Sequence, residues 1–138
     1  MTEEPIPLLD LAAVHRAHAA EIEGAVLAVL RSGRYVLGAE VEGLEAELKS
    51  YLGCGAAIGV SSGTDAILLA LMALGVGPGD EVVTTPFTFF ATAGTVARLG
   101  AKPVFVDIEE GTLHLDPAGL ENAIGPNTKA ILPVHLFG

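Results

Sequence analysis

Ser61, Ser62, Gly63, Thr64, Asp65 and Ala66 form the stretch of this chain best suited to hold an anion. They separate a short apolar run, Ala56 to Val60, that reads as a buried strand from a longer one, Ile67 to Leu74, that reads as a buried helix. At such a strand-to-helix turn the first helical N–H groups lack intrahelical partners, and the helix dipole places roughly half a positive charge there. Gly63 has no side chain to hold a phosphate off the backbone, and the Ser62 and Thr64 hydroxyls can donate to phosphate oxygens. The Asp65 carboxylate would repel an anion, so only its backbone N–H is expected to face the ligand. The same residues also make a helix start of capping-box character, with Ser62 followed three positions later by Asp65. Residue types and spacing leave phosphate cradle and plain cap both open.

Other chemistry-bearing residues are more isolated. Arg34 and Tyr35 sit in a loop bounded by Gly33 and Gly38, which either anchors the chain or contacts a substrate. Asp107, at a strand end, could hold a metal or a ribose, or simply cap a turn. His135 is either a base or a satisfied core histidine. No glycine turn carries the lysine of a P-loop, and Gly53-Cys54-Gly55 precedes a strand and lacks the third glycine of a dinucleotide fingerprint. The histidines are scattered and no Cys or His pair has ligand spacing, so no metal is expected.

The whole chain narrows the class further. Its 138 residues amount to one ordinary domain, and the net charge of −10 leaves no basic stripe for nucleic acid. The longest nearly unbroken apolar run, Ala66 to Leu74, is too short for a bilayer, so no membrane partner is expected. Glu3, Glu4 and Pro5 do not read as a signal peptide, and a lone cysteine, Cys54, fits a reducing cytoplasm. A mean hydropathy of +0.55 is high, which suggests helices buried against a sheet and apolar surface awaiting a partner.

The elements that must position these residues follow in order. A helix over Ala20 to Leu30 carries Ile22, Ala25, Val26, Val29 and Leu30 on one face and stops at Ser32-Gly33. A second, Ala39 to Leu52, turns Val41, Leu44, Leu48 and Leu52 inward and pairs Glu45 with Lys49. After the central turn come strands at Glu81–Thr85, Pro103–Asp107 and Ala130–Val134. Between them run a helix led in by Phe87 to Ala93 and ending at Gly100, and another opened by Asp116-Pro117 and closed by Gly125-Pro126. With the strand at Ala56 to Val60 this order predicts an α/β fold, a mostly parallel four-stranded sheet with covering helices and right-handed crossovers. Its ligand edge, at the strands' C-terminal ends, gathers the Ser62 turn, Phe87 to Phe90, Asp107 and His135. The last strand has no helix after it, so the domain is expected to continue past residue 138.

Six blocks in one order carry a more specific signal: Ser32 to Gly38, Ser62 to Ala66, Gly79 to Val82, Thr88 to Ala93, Pro103 to Asp107 and Pro133 to Gly138. Together they closely resemble the N-terminal third of the DegT/StrS-like sugar aminotransferases, which use pyridoxal 5′-phosphate (PLP). The resemblance implies a fold-type I aminotransferase large domain and a homodimer with its sites at the subunit interface. It also implies transfer of an amino group from an amino acid, usually glutamate, to a nucleotide-linked keto-sugar. Carried onto this chain, Ser62, Gly63 and Thr64 with the Asp65 amide would hold the cofactor's phosphate, Phe89 would stack on its pyridine ring, and Tyr35 would lie near the substrate entrance.

The Schiff-base lysine, the Asp that pairs the pyridine nitrogen and the small C-terminal domain would all lie beyond Gly138. Residues 1–138 are therefore expected to be the N-terminal part of the PLP-binding domain, with no catalytic residue of their own. Lys49 is expected on the outer face of its helix, and Lys102 and Lys129 just before their strands, across the sheet from the Ser62 turn. Two alternatives stand beside this one: a noncatalytic regulatory or binding module built on the same fold core, and a keto-sugar dehydratase of the same family.

Overall fold

A computed structural model describes Pro7 and residues 9–138, so Glu3, Glu4 and Pro5 lie outside the described residues. The chain divides into two compact units, Met1–Gly59 and Val60–Gly138.

The first unit is helical. α1 spans Leu11–Ser32, opened by Asp10, whose carboxylate accepts the Ala13 N–H at 2.8 Å, and closed by Gly33 in the left-handed conformation (φ 68°). It starts at Leu11 instead of Ala20, because Ala12, Ala13, Ala17 and Ala19 favour helix strongly while contributing little apolar periodicity. α2 spans Ala39–Leu52, with the expected bounds, and ends on Gly53 at φ 64°. Neither helix has a buried residue, so the apolar faces expected to point inward are exposed or half-buried.

Two expectations in this unit need correction. Among the described residues Glu45 makes no ion pair with Lys49; its Oε1 accepts the Gly59 N–H at 2.6 Å, across a close approach in which a Cβ on Gly59 would lie 3.2 Å from Val41 Cγ1. Nor is Ala56 to Val60 a strand. An apolar run becomes a strand only by pairing, and this one has no ladder partner among the described residues, with the Gly59 N–H taken by a side chain.

The second unit is α/β. It runs α3 (Gly63–Ala73), β1 (Glu81–Thr84), α4 (Ala91–Arg98), β2 (Lys102–Phe105), α5 (Pro117–Ala123) and β3 (Thr128–Leu132). The sheet has three strands, not four, in the order β2-β1-β3, all parallel. β2 and β3 begin and end slightly earlier than expected, which leaves Asp107 and Val134 beyond the sheet. Pro103 is tolerated because β2 is an edge strand among these three.

Alternation along β1 divides the core between the two faces of the sheet. Val82 packs with Leu71 of α3, Val96 of α4, Val76 and Ala101, whereas Val83 packs with Val106 and Leu115, flanked by Leu120 and Ala123 of α5. α3 and α4 therefore cover one face and α5 the other. Opposite faces follow from the chain path: β2 lies on one side of β1 and β3 on the other, and right-handed crossovers in opposite directions put their helices on opposite faces.

Candidate functional site

Connectivity brings two of the expected site segments to one edge. α4 follows β1 through Thr85 to Phe90, so it begins at the strands' C-terminal edge. α3 leads into the N-terminal end of β1 through Gly75 to Asp80, so its own beginning lies toward that same edge, on the face it shares with α4.

At the mouth of α3, Ser62 is the N-cap in extended conformation, and its Oγ accepts the Asp65 N–H at 3.1 Å. The Ser62 carbonyl accepts the Ala66 N–H at 2.9 Å. The Asp65 amide, expected to face a ligand, is thus occupied by the cap. The Gly63 and Thr64 amides have no acceptor among the described residues. A Cβ built on Gly63 meets nothing within 4 Å, so the space in front of this first turn is open. The helix begins at Gly63, not Ile67, so Gly63 and the Thr64 hydroxyl lie on its first turn and the Ser62 hydroxyl at its cap. Asp65 does not complete a capping box: its carboxylate accepts a hydrogen bond from the Ser61 hydroxyl.

The cap does not by itself preclude an anion at this helix start. A Ser62 Oγ that accepts an N–H through a lone pair still has its own proton to donate, and the two unpartnered amides stand at the positive end of an 11-residue helix, where a negative charge is favoured.

The loop after β1 is built to present aromatic rings. Thr85 Oγ1 accepts the Phe87 N–H at 3.1 Å, and the Thr88 and Thr92 hydroxyls are 2.8 Å apart, which ties the loop to the first turn of α4. Phe90 lies over Gly94, where a Cβ would sit 2.8 Å from its ring. Phe89 is 73% exposed, which leaves its ring free to stack. Phe87 meets Phe137 with ring centroids 6.2 Å apart.

The remaining candidates resolve differently. Asp107 accepts the N–H of Ile108 at 2.8 Å, which is the turn-capping role, and no cluster of metal-binding groups exists among the described residues. His135 is exposed rather than a core histidine; its ring meets His114 edge-on at 5.4 Å, a pairing that nothing in the local sequence signalled. Tyr35, in the first unit, donates its hydroxyl to the Leu30 carbonyl at 3.1 Å and lines a cleft of about 210 Å³ with Arg34, Gly38 and Glu40. The loop carries strain at Leu37, a bulky residue at φ 46°.

The lysines lie away from the ligand edge or in the other unit. Lys102 opens β2 and donates to Glu81 Oε1 at 2.8 Å, Lys129 is the second residue of β3 instead of preceding it, and Lys49 is exposed on α2.

The chain is 53% identical over 133 residues to a "Pleiotropic regulatory protein" of Geobacillus stearothermophilus, covering 96% of this chain and 36% of that one. It is 55% identical over 118 residues to the UDP-2-acetamido-2-deoxy-3-oxo-D-glucuronate aminotransferase of Pseudomonas aeruginosa, covering 86% of this chain and 33% of the relative. Among solved structures, S. venezuelae DesV in complex with a ketimine intermediate matches with a TM-score of 0.92 at 49% identity, over 96% of this chain and 36% of that one. The chain thus spans about a third of the length of these relatives. Solved relatives hold PLP or its amino form PMP. No helix among the described residues is long and apolar enough to cross a membrane. Residues 16–138 match the DegT/DnrJ/EryC1/StrS aminotransferase family, and the chain belongs to it.

Proposed function

We propose that this chain supplies the phosphate and ring contacts of a PLP site in an aminotransferase acting on a nucleotide-linked keto-sugar, with glutamate as amino donor. The observation that carries the proposal is the mouth of α3, where the unpartnered Gly63 and Thr64 amides stand beside the Ser62 and Thr64 hydroxyls in open space. These four neutral donors, at the positive end of the helix dipole, suit the oxygens of a phosphate. Asp65 contributes through its N–H, which orients Ser62 Oγ and leaves that hydroxyl's proton for the phosphate. Phe89, exposed at the same sheet edge, stacks on the pyridine ring. Bound there, PLP supplies the electron sink through which an amino group passes between amino acid and sugar.

The lysine that anchors the cofactor is none of Lys49, Lys102 and Lys129. It belongs to the two thirds of the relatives' length that this chain does not span, so residues 1–138 form the N-terminal part of the PLP-binding domain and are inactive alone. The working enzyme is a cytoplasmic homo-oligomer, and Tyr35 lies near its substrate entrance. The relative named as a UDP-3-oxo-sugar aminotransferase supports the substrate class. The test extends the chain to the full length of its relatives and assays amine formation from a nucleotide-linked 3-keto-sugar and glutamate. Turnover is expected; a folded, PLP-loaded protein that gives none overturns the reading. The relative named as a regulatory protein favours a second reading, a noncatalytic module on the same fold, in which the folded chain has no affinity for PLP.

A further inference from the structure

Asp65 poses an electrostatic problem for the cradle, and Ser61 is placed to solve it. A carboxylate at the third position of a helix commonly swings back to take the N–H of the N-cap residue, which here would set a negative charge in the mouth of α3 beside Gly63 and Thr64. A tethered anion in that position would occupy the charge an incoming phosphate needs and repel it. Asp65 does not swing back. Its Oδ2 is held by the hydroxyl of Ser61, one residue outside the cap, while Ser62 Oγ holds its N–H from the other side.

We infer that Ser61 is a positioning residue for the phosphate site: by binding the Asp65 carboxylate it keeps this internal anion from competing for the helix mouth. The inference rests on the reading of that mouth as a phosphate cradle. It makes Ser61 act through Asp65 and not through the ligand. Removing the hydroxyl should therefore weaken phosphate binding only while Asp65 keeps its charge.

The test uses the full chain and pyridoxine 5′-phosphate, which carries the phosphate but no aldehyde to react with lysines, with phosphate-free pyridoxine as control. Equilibrium dialysis should give saturable binding of the phosphate ester, weakened about tenfold in Ser61→Ala, the size expected for losing control of one charged hydrogen-bonding group. Ser61→Ala combined with Asp65→Asn should return to within about twofold of the parent, on the same scale of effects, and Ser61→Thr should keep parental affinity. A role in folding alone would not be rescued by Asp65→Asn. Gly63→Pro tests the cradle separately: proline is favoured at the first helical position, the extended Ser62 before it is compatible, and the change deletes one amide donor. Loss of binding in Gly63→Pro with parental affinity in Ser61→Ala, or a Ser61→Ala defect that Asp65→Asn leaves in place, overturns the inference alone. Absence of saturable binding, or binding indifferent to Gly63→Pro and to the phosphate group, overturns the cradle and the inference together.

Discussion

The two compact units of the chain use apolar residues in opposite ways. In Val60–Gly138 the apolar residues of β1 are closed in on both faces of a sheet, and Val82, Val83 and Val96 have no exposed surface. In Met1–Gly59 no described residue is buried, although α1 and α2 carry apolar residues at helical spacing. The contrast separates pattern from packing: periodicity says which face a helix would bury, but burial needs something to bury it against. The second unit contains its own cover. The first has helices with caps and a Glu45 tether to Gly59, and their apolar faces are open.

The largest effect should come from testing that contrast directly. Val82→Asp places an unpaired charge at the centre of the sheet and should cost about 4 kcal/mol or more, enough to unfold the second unit. Val26→Gln, on the exposed face of α1, should change stability by no more than about 0.5 kcal/mol. Urea unfolding followed by circular dichroism reads both. A Val26→Gln loss comparable to a core substitution would show that α1 is covered after all.

The second prediction asks what the open faces do in solution. Exposed apolar surface on this scale favours association, so the chain should sediment as an oligomer at micromolar concentration. Leu27→Glu with Leu30→Glu, both on α1, should weaken that association about tenfold if this helix is the contact. A monodisperse parent monomer refutes the prediction.

What could be read from the sequence divides along the same line. The order of elements was legible because glycines and prolines mark its turns: in the first unit α2 has its expected bounds between Gly38 and Gly53, and in the second Pro117 opens α5 behind Asp116. The helix mouth at Ser62 was legible because N-caps are local chemistry. The expected strand at Ala56 to Val60 failed because a strand is a property of two segments, and no partner exists for it among the described residues. The Ser61–Asp65 and Glu45–Gly59 hydrogen bonds were not legible either. The first has no capping-box spacing, and the second joins residues whose proximity depends on how the chain returns past α2.

Phe89 sharpens the comparison within the second unit itself, where a residue can belong to the fold or to the site. It is largely exposed, so Phe89→Ala should scarcely alter stability but weaken PLP binding about two- to tenfold, the worth of an offset aromatic stack of about 0.5–1.5 kcal/mol. Val96→Ala should do the reverse, costing stability through a cavity beneath α4 while leaving the affinity of the folded protein near the parent's. Fluorescence titration with PLP and urea unfolding on the same samples separate the two. Lost stability with unchanged affinity in Phe89→Ala would assign its ring to the core.

The smallest effect is expected at Lys102. Its ion pair with Glu81 joins the first residues of two paired strands, and with the lysine largely in solvent the pair is worth about 0.2–1 kcal/mol. Lys102→Met should therefore cost less than about 1 kcal/mol in urea unfolding. It should also leave PLP binding untouched, because β2 is four residues long, about 13 Å, and places Lys102 at the end opposite the ligand edge, beyond a lysine's reach. The same geometry applies to Lys129 near the start of β3, and Lys49 stands exposed beside the acidic residues of α2. Borohydride reduction of the PLP-incubated chain, followed by peptide mapping, should accordingly yield no stoichiometric pyridoxyl adduct on Lys49, Lys102 or Lys129. An adduct concentrated on one of them would give this chain an anchoring amine of its own and overturn its proposed inactivity.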